Sequence, residues 1–280
     1  MAGISRKDIK NRIRSMESTR QITRAMELVA ASNLRRAQTQ VSRSRPYFQI
    51  LSATIREVRC SSKDFSSPFL RNREGAKALY IVIAGDRGLA GGYNSNLLKM
   101  VHAKIREQEA LVLPIGKKAV EFCRSKQIPT LSEAYKEASV LSIGDCFSIA
   151  KEFSSAFLTG AFGELYVAYT TFVSVLSQIP VTEKLLPLEV PTQPPADSQP
   201  DMLYEGTAED VFAAVIPEYL GGILYGALCE SRAAEQAARR AAMDSATQNA
   251  DDRIAALSQA FNRTRQAAIT QEITEMVVGF

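Results

Sequence analysis

The last quarter of the chain contains an uninterrupted stretch that suits a long helix and little else. From Ala227 to Val278 there are 52 residues without glycine or proline, and fourteen of those up to Ala268 are alanine. Alanine has the highest helix propensity, and at 1.5 Å per residue this helix is roughly 78 Å long. Because an isolated helix gains little stability in water, it needs a partner helix along much of its length.

The N-terminal segment is the natural partner. Ile4 to Arg45 also lacks glycine and proline, and small or apolar residues recur there at steps of three and four, which predicts one buried helical stripe. Ser5 with Asp8 and Thr207 with Asp210 have the spacing of capping boxes, which mark helix starts. We therefore predict a long antiparallel coiled coil. The predicted stripe is Ile9, Ile13, Met16, Thr19, Ile22, Met26, Ala30, Leu34, Ala37 and Val41.

The middle of the chain changes from helical to strand periodicity. Leu79–Ala84 and Ala110–Ile115 are short apolar runs of the kind that buried parallel strands show. Helical stretches are predicted between and after them at Asn94–Glu109, Lys117–Lys126 and Asp145–Leu158, and Glu164–Val175 and Val181–Leu188 are predicted as further strands. The fold class is thus α/β plus a coiled coil, with a small Rossmann-like open sheet in the centre. The predicted parts are a helix at 1–58, an α/β domain at 77–190, a proline-rich linker at 191–206 and a helix at 207–280.

Charge and composition exclude several kinds of protein. The four cysteines lack metal-binding spacing, and the nearest membrane-span candidate, Val211–Leu228, contains Pro217 and Glu218 and is predicted to be a buried helix. The N-terminus lacks the apolar core of a secretion signal, so we expect an intracellular chain.

Ile4 to Arg45 carries eleven Arg or Lys against three acidic residues. Such a helix can bind nucleic acid, an anionic membrane or an acidic protein surface.

A glycine-rich loop, Gly85–Tyr93, follows a predicted strand, where phosphate-binding loops occur. It lacks both G-x-G-x-x-G and the Lys-Ser/Thr pair of a P-loop. The favoured interpretation is a tight turn in which glycines supply positive φ and Asp86 or Arg87 binds nearby backbone groups. A nucleotide-binding enzyme is the alternative.

His102, the only histidine, has no nucleophile nearby in sequence, so we predict no catalytic residue, no metal ligand and no cofactor.

Four segments carry a family resemblance, and they are Arg12–Gln38, Asp86–Asn94, Ala233–Arg239 and Asn262–Glu275. Together they resemble the gamma subunit of F-type ATP synthases. Arg12–Gln38 is similar to the family's N-terminal helix and Asn262–Glu275 to its C-terminal signature. Asp86–Asn94 resembles the family's central loop, and Ala233–Arg239 resembles its returning helix. The resemblance covers the whole chain in order, and it is least specific in the proline-rich linker.

The resemblance implies a non-catalytic rotor stalk. Its partners would be the alpha, beta and epsilon subunits and the c-ring, with one copy per complex and no nucleic acid. It would couple proton flow through the c-ring to conformational changes in beta for ATP synthesis, and would regulate ATPase activity. Membrane association would be indirect, at the cytoplasmic face of the bacterial plasma membrane.

The family's contact residues map onto positions of this chain. The resemblance implies contacts with the c-ring and epsilon foot at Tyr204 and Glu205. It implies contacts with the alpha/beta head at Met26, Arg36, Arg265, Gln266, Thr270, Glu272 and Ile273.

A basic adaptor for nucleic acid or membrane is a further alternative, although no aromatic residue lies between Met1 and Arg45 to stack on bases.

Overall fold

A computed structural model describes residues 5–60, 66–71, 76–189 and 207–278. Contacts between residues divide the chain into two compact units. The helical unit consists of Met1–Ser32 with Arg239–Phe280, and the α/β unit consists of Asn33–Ala238. The two long helices, α1 (Arg6–Cys60) and α5 (Ala208–Val278), contribute residues to both units.

The α/β unit contains a four-stranded sheet in the order β2-β1-β3-β4. Strand β1 pairs in parallel with β2 and β3, whereas β3 and β4 are antiparallel. A connection of five residues, 173–177, joins β3 to β4; it is long enough for a hairpin and too short for a parallel crossover. The predicted small α/β sheet is therefore confirmed, with mixed strand directions. The elements are β1 (Ala78–Ile83), α2 (Tyr93–Ile105), β2 (Ala110–Ile115), α3 (Lys117–Lys126), α4 (Ile143–Thr159), β3 (Glu164–Phe172) and β4 (Gln178–Leu186).

The central strand β1 is buried on both faces of the sheet. Leu79, Ile81 and Ile83 belong to a core formed with α4, α5 and the end of α1. The alternating residues of β1 belong to a second core formed with α2 and α3. This explains why β1 is a continuous apolar run without the polar positions of a half-exposed strand.

Helix α1 continues beyond the segment free of proline and glycine. It passes through Pro46, which removes a backbone donor, and ends at Cys60. Ile55 and Val58 are buried in the core under the sheet. Burial of this kind stabilises by about 1.5–3 kcal/mol per large side chain, comparable to the cost of a proline within a helix. Tertiary packing therefore extends the helix past its proline.

Helix α5 begins where the sequence predicts. The Thr207 hydroxyl lies 2.7 Å from Oδ2 of Asp210 and accepts from the Asp210 amide at 3.2 Å. The hydroxyl thus supplies an acceptor for one of the free N–H groups of the first turn. The predicted cap at Thr207 is confirmed.

Within the described residues, the segment Ala208–Gln271 of α5 contains a window long and apolar enough to span a membrane, judged by length and composition alone. The window's mean hydropathy is 1.6, and 44% of it is buried within the protein. Side chains from the first turns of α5 pack in the core under the sheet, and they include Phe212, Ile216, Leu220, Leu224 and Leu228. Core packing accounts for this apolar run, as the sequence predicted.

In the helical unit, α1 and α5 present residues at heptad spacing. Steps of three and four residues alternate along both helices, the pattern of coiled coils. Thr23 Oγ1 lies 2.8 Å from Thr247 Oγ1, and Arg20 Nη1 lies 3.1 Å from Asp251 Oδ1, so the helices are antiparallel. The buried or half-buried positions that follow this spacing are Ile9, Ile13, Met16, Arg20, Thr23, Glu27 and Ala30 in α1, and Met243, Thr247, Ala250, Ile254, Leu257, Phe261, Thr264 and Ala268 in α5.

The predicted stripe of α1 is wrong in its middle portion. Thr19 and Ile22 are exposed, and the neighbouring Arg20 and Thr23 occupy the seam in their place. After Met16, the next seam residue can lie three or four positions further along, because helix geometry allows both steps. The apolar side chain of Ile22 favoured the step of three, which leads through Thr19. The observed seam follows the step of four because the Thr23 hydroxyl meets Thr247 across the interface.

Candidate partner-contact surfaces

Large apolar side chains are exposed to solvent on both helices of the helical unit. Met276 is 65% exposed and Val29 is 60% exposed, although both residue types are usually buried. Exposed apolar groups that are neighbours on a helix face, as Ile269, Ile273 and Met276 are by their spacing, mark an interaction surface. We call this set the outer apolar residues: Ile22, Leu28 and Val29 on α1, and Ile269, Ile273 and Met276 on α5.

The end of α5 continues past the described start of α1. The contacts of Thr23 with Thr247 and of Arg20 with Asp251 set the register. Continued at the same rise per residue, this register brings Arg6 level with about residue 264. Beyond that level α5 has no described α1 residue beside it, which explains why Ile269, Ile273 and Met276 are exposed.

Four of the predicted head-contact residues lie in this last part of α5. Arg265, Gln266, Thr270 and Ile273 are all exposed. Gln266, Thr270 and Ile273 follow one face at steps of four and three, and the Thr270 hydroxyl donates to the Gln266 carbonyl at 3.0 Å. Glu272 is part of the same helix, and its side chain lies outside the described residues.

The other predicted contact residues are placed separately. Met26 is half-buried on α1, at helical spacing from the exposed Ile22 and Val29. Arg36 is exposed on the part of α1 that belongs to the α/β unit. Tyr204 and Glu205, the predicted foot contacts, lie outside the described residues.

A shallow groove of about 590 Å³ lies between the two helices of the helical unit. Arg20 and Asp251 border it, with side chains 42% and 53% exposed. An ion pair this exposed contributes about 1 kcal/mol or less. Nearby, Arg24 Nη1 lies 2.7 Å from Glu27 Oε2, so the buried Glu27 carboxylate has a cationic partner. The remaining lining residues are Gln21, Arg24, Ala25, Leu28 and Thr247.

The glycine-rich loop is held by hydrogen bonds to other parts of the protein. Asp86 accepts from the amides of Lys117 at 3.3 Å, Ala138 at 2.8 Å and Ser139 at 2.9 Å. Asn94 Oδ1 accepts from the Gly85 amide at 2.9 Å. These bonds hold the loop in a tight turn, which is the interpretation that the sequence favoured. The Asp86 carboxylate accepts from the protein's own backbone amides.

These hydrogen bonds also determine how Asp86 titrates. Partial burial acts to raise the pKa of the Asp86 carboxyl, because it disfavours the charged form. Hydrogen bonds from Ser139, Ala138 and Lys117 act in the opposite direction and together outweigh burial. The pKa of Asp86 therefore lies below its ordinary value, and the carboxylate stabilises the folded state.

Replacing Asp86 with asparagine should lower the free energy of unfolding by about 1–2 kcal/mol at pH 7, because the amide accepts fewer and weaker hydrogen bonds. The carboxylate's contribution is present above the unfolded pKa, about 4, and is lost as pH falls through the lower folded pKa. Urea unfolding of both proteins between pH 7 and about pH 2.5 should show the difference shrinking only below pH 4. A constant difference over the whole range would contradict this role.

The histidine and the cysteines have structural surroundings. The His102 ring packs edge-on against Phe122, with ring centroids 5.8 Å apart. Cys123, Cys146 and Cys229 are buried thiols. Burial raises the pKa of Cys123 to about 11 and that of Cys146 to about 12, so both thiols stay neutral and unreactive near pH 7.

Two groups of polar residues were missed by the sequence analysis. One is the Thr23–Thr247 pair, because neither threonine stands out from the others in its helix. The second is on α5, where Ser231 and Arg232 bond to β1 and to the loop before α4. Their signal in the sequence was faint: they are polar residues in a segment whose neighbours are mostly small and apolar.

Comparison with known proteins identifies similar chains over nearly the full length. A family model described as ATP synthase matches residues 5–280. The ATP synthase gamma chain of Ruminococcus albus is 42% identical over 275 residues, covering 96% of each chain. The gamma chain of Alkaliphilus metalliredigens is 41% identical over 283 residues, covering 99% of this chain and 98% of that one.

Solved structures share the fold. A chain of the Euglena gracilis mitochondrial ATP synthase OSCP/F1/c-ring structure aligns with a TM-score of 0.63 at 15% identity, covering 97% of this chain and 92% of that one. A chain of the Tetrahymena thermophila mitochondrial ATP synthase central stalk and c-ring structure aligns with a TM-score of 0.57 at 22% identity. That alignment covers 80% of this chain and 99% of the other.

Proposed function

The chain belongs to the ATP synthase family, among its gamma chains, and from this premise we propose that it transmits rotation between the c-ring and the catalytic beta subunits. As a gamma chain it is a non-catalytic subunit of a membrane-associated complex. Proton flow would turn the c-ring and this chain with it. The turning helices would then change the conformation, and so the nucleotide affinity, of each beta subunit in turn. By the same coupling, the chain would regulate ATPase activity.

The exposed apolar end of α5 is the observation that carries this proposal. A surface that moves past its partners needs contacts without deep energy minima, and charge pairs at fixed positions create such minima. Apolar contacts are non-directional. Ile269, Ile273 and Met276 are exposed there, which suits sliding contact with a surrounding ring of alpha and beta subunits.

We propose the following roles for the residues carried over from the family. Met26, Arg265, Gln266, Thr270, Glu272 and Ile273 would contact the alpha/beta head, together with Arg36 from the basic N-terminal helix. Tyr204 and Glu205 would contact the c-ring or epsilon. Residues 1–58 and 207–280 would form the shaft, and 77–190 would form the base, joined to the shaft by the linker at 191–206.

The proposed setting is one copy per complex at the cytoplasmic face of a bacterial plasma membrane. Membrane association would be indirect, through epsilon and the c-ring, and no cofactor or nucleic acid is required. Neither of the alternative functions, a nucleotide-binding enzyme or a basic adaptor for nucleic acid or membrane, has a comparable observation in its favour. The glycine-rich loop uses the Asp86 carboxylate to bind its own neighbours, and the basic helix lies within residues 5–280, which the ATP synthase family model matches.

Isolation of the tagged chain from its own cells under mild conditions tests the proposal. We expect the alpha, beta and epsilon subunits to co-purify in fixed proportion, with one copy of this chain per complex. A bead attached to the α/β unit should rotate when ATP is added to the immobilised complex. Isolation without alpha and beta, or an assembled complex that hydrolyses ATP with a stationary bead, would refute the rotor function.

A further inference from the structure

The middle of α5 is buried along small residues that pack against α1, the glycine-rich loop with the start of α2, and the end of β3. Ala227, Ala233, Ala234 and Ala237 are all at most 4% exposed. Burial of such residues holds the helix close to these neighbours, but apolar contact is non-directional and fixes the rotation of the helix about its own axis less strictly than hydrogen bonds do. Directional bonds on this segment add resistance to twisting against the sheet.

Arg232 makes such bonds on one side of α5. Its Nη2 donates to the carbonyl of Ala138 and, at 2.9 Å, to that of Leu141. The same loop is held from the sheet side, because Asp86 accepts from the amides of Ala138 and Ser139. The loop at 138–141 is therefore bonded at once to the end of β1 and to α5.

Ser231 makes the second connection. Its Oγ lies 2.6 Å from the Tyr93 hydroxyl and donates to the Ile83 carbonyl at 3.3 Å. Ser231 is 1% exposed and Tyr93 is 5% exposed, so water does not compete for these bonds. Beside them, a side chain on Gly85 would come within 3.0 Å of the Glu235 carboxyl group, so the helix approaches the loop backbone closely.

The two connections lie at different points around the helix. Successive residues of an α-helix project about 100° apart, so Ser231 and Arg232 face different parts of the surrounding protein. Rotation of α5 in either direction stretches the bonds of at least one of them.

We propose that Ser231 and Arg232, with Tyr93, Asp86 and the carbonyls of Ala138 and Leu141, form a clamp that carries torque between the α/β sheet and α5. This inference rests on the proposed rotor function, since only a chain under torque needs it. The clamp keeps α5 from turning against the sheet when the complex works against a load. Without it, ATP would be hydrolysed while part of the rotation is lost inside the chain.

The test uses the assembled complex in vesicles, where ATP hydrolysis pumps protons against a gradient of adjustable size. For Arg232→Ala we expect a wild-type number of protons per ATP at zero gradient, and a number lower by roughly twofold or more at a large gradient, because the bonds to Ala138 and Leu141 are lost. Ser231→Ala should behave in the same way, and it tests the clamp independently if Arg232→Ala does not assemble. Arg232→Lys should recover more than half of the loss, because one ammonium can donate to both carbonyls.

Gln236→Ala is the matched control, a polar residue replaced one turn along the same helix. We expect its proton count to equal that of the wild type at every gradient. A merely structural effect of Arg232→Ala would lower assembly and activity equally at all loads, and that outcome, or an unchanged count at the largest gradient, overturns the clamp. If the wild-type chain itself neither assembles nor pumps, the rotor function fails instead.

Discussion

Replacing Gly116 with alanine will lower the free energy of unfolding of the α/β unit by about 3 kcal/mol or more, because two costs combine at this position. The backbone of Gly116 has φ +94°, a region that side chains rarely adopt. An added Cβ would lie 2.1 Å from the carbonyl oxygen of Ala84, a backbone atom that is held in the sheet. Urea unfolding of the full-length chain, followed by circular dichroism, measures the loss.

Gly88→Ala is the control for this prediction. Gly88 lies in the glycine-rich loop, and a Cβ there would meet nothing within 4 Å. Its substitution should change the free energy of unfolding by about 0.5 kcal/mol or less, as surface substitutions usually do. If Gly116→Ala and Gly88→Ala were equally stable, the start of α3 would lie farther from the end of β1 than it does in the structure.

Replacing Met26 with lysine will uncouple proton pumping from ATP hydrolysis more than it affects assembly. Met26 is half-buried between the exposed Ile22 and the seam residues of α1. A lysine keeps most of the aliphatic packing through its stem but places a charge at the surface. Under the proposed function that charge would bind the passing beta subunits, so we expect protons pumped per ATP to fall by roughly twofold or more.

The control for Met26→Lys is Met26→Leu, which keeps the volume and the apolar character of the side chain. Both variants should co-purify with alpha and beta in wild-type proportion, and only the lysine variant should lose coupling. Unchanged pumping per ATP in Met26→Lys would exclude this part of α1 as a moving contact. A parallel loss in both variants would point to packing within the helix pair.

The secondary structure was largely predictable because each element carries a local signal. The strand predicted at Leu79–Ala84 is observed at Ala78–Ile83, and the helix predicted at Lys117–Lys126 has those same bounds. Apolar runs of this length and the absence of proline or glycine act through neighbouring residues alone. The helix predicted at 1–58 includes Pro46, and α1 passes through that proline because Ile55 and Val58 are buried in a core formed by distant segments.

The candidate contact surfaces were predictable in part. The resemblance to a known family nominated positions at the end of α5, and Arg265, Gln266, Thr270 and Ile273 are all exposed there. Their roles as contacts stay predictions. Ile22 shows the limit of pattern reading: its apolarity suggested a seam position, and it is exposed among the outer apolar residues. Hydrophobicity marks a residue for burial without stating whether a partner protein or the chain itself will bury it.

The sequence by itself determined that this protein has two very long helices and a small α/β sheet, since propensity, periodicity and the spacing of proline and glycine are local properties. Only the tertiary structure decided that Thr23 and Thr247 meet in the seam and that Arg232 and Asp86 hold one loop between them. These pairs lie far apart in sequence. Their approach depends on how whole elements pack, which no short stretch of residues encodes.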